Sequence, residues 1–138
     1  MSSIRETAER FFDACETGKG WDACKGFCHP DATFSAQADA LAGVDTVEAY
    51  VEWMKGLLVP VPDGAAEVRC FAVDEGRNSV AAYGVFHGTN SGEGGPVAPT
   101  GKRVDADYVY VMDFEGGQIR HMTKIWNDGV SLRQLGWA

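Results

Sequence analysis

Beyond residue 66 the spacing of apolar side chains changes from a helical period to an alternating one, and this switch constrains the fold more than any other feature. Glu67–Asp74, Ser79–Thr89, Val104–Phe114 and Gln118–Trp126 read as four strands rich in Val, Tyr and Phe. Glu75-Gly76-Arg77-Asn78 joins the first two and Glu115-Gly116-Gly117 the last two, both as hairpin-type connections. Between the middle strands lies Asn90–Gly101, NSGEGGPVAPTG, too rich in Gly and Pro for regular structure. It lacks the GK-Ser/Thr ending of a phosphate loop and opens a strand rather than a helix. A mobile lid is the expectation, with Pro96 and Pro99 limiting its swing.

The preceding residues are helical. Ser3 with Glu6 forms a capping box, and Ile4, Ala8, Phe11, Phe12 and Cys15 recur at helical spacing until Gly18. A short helix over Trp21 to Cys28 is broken by His29-Pro30-Asp31, and Ala32–Ala36 suits a short strand. A capping box of Asp45 with Glu48 opens a third helix whose stripe is Val47, Tyr50, Val51, Met54, Leu57 and Leu58, ended by Pro60, Pro62 and Gly64. Helices followed by an antiparallel meander define an α+β domain, a curved sheet covered on one face by helices, filling residues 1–138 as one unit.

Composition sets the outer limits. The formal charge of −8, from 12 Lys and Arg against 20 Asp and Glu, argues against nucleic acid and anionic membranes as partners. The acidic excess lies in residues 1–75, while residues 76–138 are balanced, so it reads as solubility of the helical coat. No segment is apolar enough to span a membrane, and the acidic start lacks a signal core, so a cytoplasmic location is expected. The four cysteines then read as reduced thiols. Cys24, Cys28 and His29 have a zinc-like spacing, but a short helix would place both thiols on one core face and no second ligand pair follows. Neither metal nor cofactor is expected.

If Gly116-Gly117 is a two-residue turn, Phe114 faces Ile119, Met112 faces His121, Tyr110 faces Thr123 and Tyr108 faces Ile125. One face then carries Tyr108, Tyr110, Met112, His121, Thr123 and Ile125, with Asn127 next in phase, a composition suited to a small-molecule cavity. The other carries Asp107, Val109, Val111, Asp113, Arg120, Met122, Lys124 and Trp126. There Asp113 would lie opposite Arg120, and Lys124 would be a paired surface lysine near Asp107. A three-residue turn inverts the assignment.

The order of elements resembles the nuclear transport factor two-like superfamily, a cone of curved sheet closed by helices around a deep pocket. PTGKRV at Pro99–Val104, FEGGQI at Phe114–Ile119, and Trp126 to Gly136 ending in LRQLG resemble the SnoaL-like polyketide cyclases. The resemblance implies a cyclase or isomerase working on a hydrophobic, polyketide- or steroid-like substrate, and a homodimer formed through the sheet. Val109, Val111, Met122 and Trp126 would supply the dimer patch. It also implies an Asp acid/base just after the last strand, but that position holds Asn127, which cannot exchange protons usefully near neutral pH. Asp128 could reach the pocket only through a turn or bulge, and otherwise caps the last helix.

His121 is therefore the candidate acid/base, since imidazole transfers protons both ways near neutrality. Tyr108 or Tyr110 with Asn127 would stabilise an enolate oxygen. Met112, Thr123, Trp53 and Phe34 complete the expected binding site, and His87 is expected to be structural. Two functions stay open: an enzyme abstracting a proton beside a carbonyl, or a non-catalytic ligand-binding or assembly module, which Asn127 favours.

Overall fold

The computed structural model describes residues 3–138. Helix α1 (Ile4–Glu16) starts where Ser3 accepts a hydrogen bond from the Glu6 amide at 3.1 Å. It ends before Gly18, whose φ of +71° suits glycine. The second helix is shorter than its sequence suggests: α2 (Trp21–Cys24) passes into a 3₁₀ turn, and Cys28 already belongs to a strand. Strand β1 (Cys28–Ala36) thus contains His29, Pro30 and Asp31 instead of starting after them. It lies at a sheet edge, and its pairing shifts between Cys28 and Thr33, which is where a sheet tolerates proline.

Helix α3 (Val47–Leu57) is capped by Thr46, which accepts from the Ala49 amide at 3.1 Å, and not by the Asp45–Glu48 box. Asp45 is outside the helix, where its carbonyl accepts from the Phe34 amide. Strands β2 (Ala65–Asp74), β3 (Ser79–Thr89), β4 (Arg103–Glu115) and β5 (Gln118–Trp126) follow, then α4 (Asp128–Leu135). The sheet order is β1-β5-β4-β3-β2; β1 runs parallel to β5, and the other neighbours are antiparallel.

The curved sheet holds α1 and α3 against one face. Tyr50, Val51 and Met54 of α3 and Phe11 and Phe12 of α1 are buried against Tyr110, Met112 and Met122. Phe12 stacks on Tyr108 at 6.2 Å and meets Phe71 edge-on at 5.6 Å, which fixes α1 across the strands. Each fully buried side chain of this size stabilises the fold by roughly 1.5–3 kcal/mol.

Among the described residues no helix is long and apolar enough to cross a membrane, and no cluster of His, Cys, Asp or Glu has metal-binding geometry. All four cysteines are free thiols. Burial pushes Cys24 up to about 11 and Cys28 up to about 12, so both stay protonated and pack as small apolar groups.

Candidate functional site: a buried lysine in an aromatic cavity

Strand β5 is bulged. Phe114 faces Ile119 as the hairpin turn requires, but Asp113 faces His121, leaving Arg120 without a partner on β4. From there Met112 faces Met122, Val111 faces Thr123, Tyr110 faces Lys124 and Tyr108 faces Trp126. Because side chains alternate along a strand, the extra residue exchanges the two faces of β5. Met122, Lys124 and Trp126 join Tyr108, Tyr110 and Met112 on the helix-covered side, while His121, Thr123 and Ile125 turn away from it.

That side contains a cavity of about 440 Å³. Tyr108, Lys124 and Trp126 of the sheet, Trp53 and Leu57 of α3, and Leu135 of α4 line it, and Gly94, Gly95 and Pro96 of the long loop edge it. The base of this loop is pinned. Asn90 is fully buried, its amide group donates to the Pro60 carbonyl at 3.0 Å, and its side-chain oxygen accepts from the Thr100 amide at 2.9 Å and the Trp137 indole at 3.1 Å.

Lys124 is 6% exposed. Its Nζ donates to the Tyr50 hydroxyl at 3.0 Å, and that hydroxyl is in turn hydrogen-bonded to the hydroxyl of Tyr110. The Trp126 ring centroid lies 4.2 Å away, and those of Tyr50, Trp53, Tyr108 and Tyr110 lie at 5.1, 5.2, 5.3 and 5.9 Å. The ring faces attract the cation, yet burial dominates and brings the amine down to about 8, against the opposing pull of Glu16 and Cys15.

Glu16, at the last turn of α1, is 4% exposed and lines the same cavity. Burial raises its carboxyl above the usual range, while the charge of Lys124 favours the anion. Lys124 and Glu16 form no direct ion pair among the described residues, so each acts on the other across a gap. Among the described residues two polar atoms at the site have no protein hydrogen-bond partner: Glu16 Oε2 and the Tyr108 hydroxyl. Buried polar atoms are rarely left unpaired, and both belong to residues lining the cavity. Glu16 also lines a second, polar cleft with Arg5, Glu9 and Asp13.

Several expected site residues lie elsewhere. His121 is on the outer face, its Nδ1 paired with Thr33 at 2.7 Å and its Nε2 with Ser35 at 3.0 Å. Thr123 joins that outer cluster through Ser35 at 3.3 Å. Asn127 caps α4 by accepting from the Val130 amide at 3.3 Å, leaving Asp128 as the first helical residue. Asp128 accepts from the Ala40 amide at 2.8 Å and, with Asn127, borders a shallower groove outside the cavity. Met112 and Phe34 are buried in the core and do not line the cavity, Phe34 stacking on Tyr50 at 4.6 Å. Tyr108 and Trp53 do line it, and Tyr110 supports it through Tyr50.

The expected surface pairs differ too. Arg120 reaches Asp31 at 3.1 Å and Glu115 at 3.9 Å rather than Asp113, and Lys124 is interior rather than beside Asp107. Met122 and Trp126 also face inward, so they are not part of an outer patch. His87 is held on the sheet by Asp105 at 2.6 Å and Glu67 at 2.9 Å, which raise its pKa.

Two sequence signals pointed to the residues that were missed. Ile119 and Met122 are both apolar at an odd spacing, which a regular half-buried strand does not show. Glu16 follows Phe12 by four residues, on the apolar stripe of α1.

Residues 6–135 match the family model of the SnoaL-like polyketide cyclases. No curated protein matches the sequence. Among solved structures, the chain is similar to a candidate SnoaL-like polyketide cyclase from Jannaschia sp. CCS1, at 19% identity and TM-score 0.79, over 98% of this chain and 92% of that one. It is also similar to IdmH, a candidate polyketide cyclase from Streptomyces antibioticus, at 20% identity and TM-score 0.78, over 98% and 99%. AclR, a candidate hydroxylase from Streptomyces galilaeus, matches at 25% identity and TM-score 0.70, over 96% and 83%. These likenesses establish the α+β cone fold.

Proposed function

The chain belongs to the SnoaL-like polyketide cyclase family, and we propose that it carries out general acid–base chemistry beside a carbonyl group of a hydrophobic, polyketide- or steroid-like small molecule. The observation that carries this reading is the juxtaposition of Lys124 and Glu16, both buried, in a cavity otherwise walled by aromatic and aliphatic side chains. An apolar cavity of about 440 Å³ suits a ligand of a few fused rings, and its few polar atoms fix orientation.

In this scheme the carbonyl oxygen lies between Lys124 Nζ and the Tyr108 hydroxyl. The Glu16 carboxylate takes the proton from the adjacent carbon, and burial makes it a stronger base than an exposed carboxylate. Negative charge developing on the oxygen is stabilised by Lys124 in a site shielded from water. Glu16 then returns the proton elsewhere on the ligand or passes it to the polar cleft on its far side.

The test is exchange of the α-protons of β-tetralone in D₂O, followed by NMR. The protein should accelerate exchange, and Glu16→Gln and Lys124→Met should abolish the acceleration with the fold intact by circular dichroism. A wild-type rate no greater than that of free lysine at the same pH would refute the reading.

One observation favours a second reading. The position at which the resemblance implies an acid/base Asp is Asn127, engaged as a helix cap, and a domain that only binds its ligand would need no more. Ligand binding without proton exchange is its signature. Under either reading we place a homodimer contact on the outer sheet face, where Tyr83 and Ile125 are exposed and Val109 and Val111 half-buried. Sedimentation of a monomer at high concentration would contradict it.

A further inference from the structure

We infer that Lys124 is an amine nucleophile, and that the site captures the ketone of a hydrophobic mono- or diketone as an iminium on Nζ. The inference rests on the proposed function above, and it changes how the carbonyl is activated, from a hydrogen bond to a covalent bond.

The geometry is that of a reactive amine. Nζ is enclosed by aromatic rings, and the Tyr50 hydroxyl is its one hydrogen-bond partner among the described residues. A lysine ammonium has three donors, and here two are left facing ring faces and cavity, a setting that favours the neutral form. Its stem comes from β5, a strand paired on both sides, so the amine is held in place rather than trailing from a loop. Glu16, with one oxygen unpartnered, supplies the proton carrier that carbonyl–amine condensation needs. The lowered basicity of Lys124, to about 8, leaves about a tenth of it neutral at pH 7, far more than an exposed lysine keeps.

The steps balance without an added oxidant or reductant. The Nζ lone pair forms the C–N bond while the carbonyl π pair moves to oxygen; Glu16 carries the proton released by nitrogen to that oxygen. A second proton from nitrogen, by the same carrier, lets the hydroxyl leave as water and yields the neutral imine, which takes up a proton from solvent water to give the iminium. Glu16 then takes a proton from the adjacent carbon to give an enamine. In a ligand with a second carbonyl, the enamine carbon attacks it and forms the new C–C bond, and the resulting alkoxide takes the proton from Glu16. Water adds to the iminium, restoring the first carbonyl and freeing Lys124 as the ammonium, which returns the borrowed proton to solvent.

Benzoylacetone is the probe, because condensation of its diketone with an amine gives a vinylogous amide with a near-ultraviolet band. The full-length protein should develop this band, faster as pH rises through about 8, and peptide mapping should place the adduct on Lys124. The exposed lysines at 19, 25, 55 and 102 serve as internal controls. Lys124→Met and Lys124→Arg, both checked for fold by circular dichroism, should lose the band. If benzoylacetone quenches the tryptophan fluorescence but no adduct forms, the nucleophile is overturned while the acid–base reading stands. An adduct confined to the other lysines overturns it equally. If the probe neither binds nor reacts, both readings fall.

Discussion

Lys124 Nζ lies 4.2 Å from the ring centroid of Trp126, its neighbour two residues along the same strand. The pair shares one face of the sheet and is continued by Trp53, which meets Trp126 at 5.9 Å in an edge-on contact. The charge is thus surrounded by π faces, which compensate only part of the water it has lost. Holding this amine in place costs stability.

Replacing Lys124 by Met should therefore stabilise the protein at neutral pH. The gap between about 8 in the fold and an ordinary lysine's 10.5 corresponds to roughly 3 kcal/mol. Well below pH 8 both folded and unfolded wild type hold the proton, so the cost is fully present. Between pH 8 and 10.5 the unfolded chain binds more protons than the folded one, and wild-type stability rises. Urea titrations across this range should show the advantage of Lys124→Met shrinking towards pH 10.5; a constant difference would mean that Lys124 carries no buried charge.

Glu16→Gln should lower the basicity of Lys124 further, because the Glu16 charge now opposes the effect of burial. The pH midpoint of a Lys124-dependent signal, such as Trp126 fluorescence or adduct formation, should fall below about 8. A midpoint that rises would remove Glu16 from the electrostatics of the site.

Deleting Arg120 should leave the cavity intact. This residue is the one looped out of the β4–β5 pairing, so its removal makes β5 regular without moving Lys124 relative to Tyr110. What is lost are exposed ion pairs to Asp31 and Glu115, each contributing no more than about 1 kcal/mol. The deletion variant should melt within a few degrees of wild type and keep its Lys124 titration.

Asn90→Ala should loosen the loop that edges the cavity. It removes bonds to Pro60, Thr100 and Trp137 and leaves several of those groups buried without partners. A loss of roughly 2–4 kcal/mol is expected, with faster amide exchange across residues 91–99 and faster ligand release. Unchanged exchange there would show that the loop is held by other contacts.

Much of the fold was legible because it depends on periodicity. The stripe of α1, the stripe of α3 and the alternation in β4 each follow from burying one side of an element, and Ser79–Thr89 and Gln118–Trp126 coincide with the strands observed. The SnoaL-like resemblance agrees with the matched family. The site was less legible because it depends on parity. Tyr108 was assigned to the inner face correctly, since β4 is regular. His121 and Lys124 were interchanged, since one unpaired residue in β5 reverses every later side chain. Turn chemistry at Gly116-Gly117 fixed the Phe114–Ile119 pair but carries no information about a bulge one residue further on. Cap positions failed more mildly: Thr46 and Asn127 took the roles expected of Asp45 and Asp128, each one residue away.

The bulge at Arg120 has a consequence for descent as well as for structure. The nine residues of β5 encode two alternative chemistries, one of imidazole and hydroxyl, the other of amine and indole, interleaved on the same strand. Which of them meets a ligand is decided by whether Arg120 is looped out of the pairing or taken into it, rather than by any side chain in the site. In a lineage of such cones, drawing Arg120 into the ladder would replace the amine by the imidazole while every residue that bears chemistry is inherited unchanged.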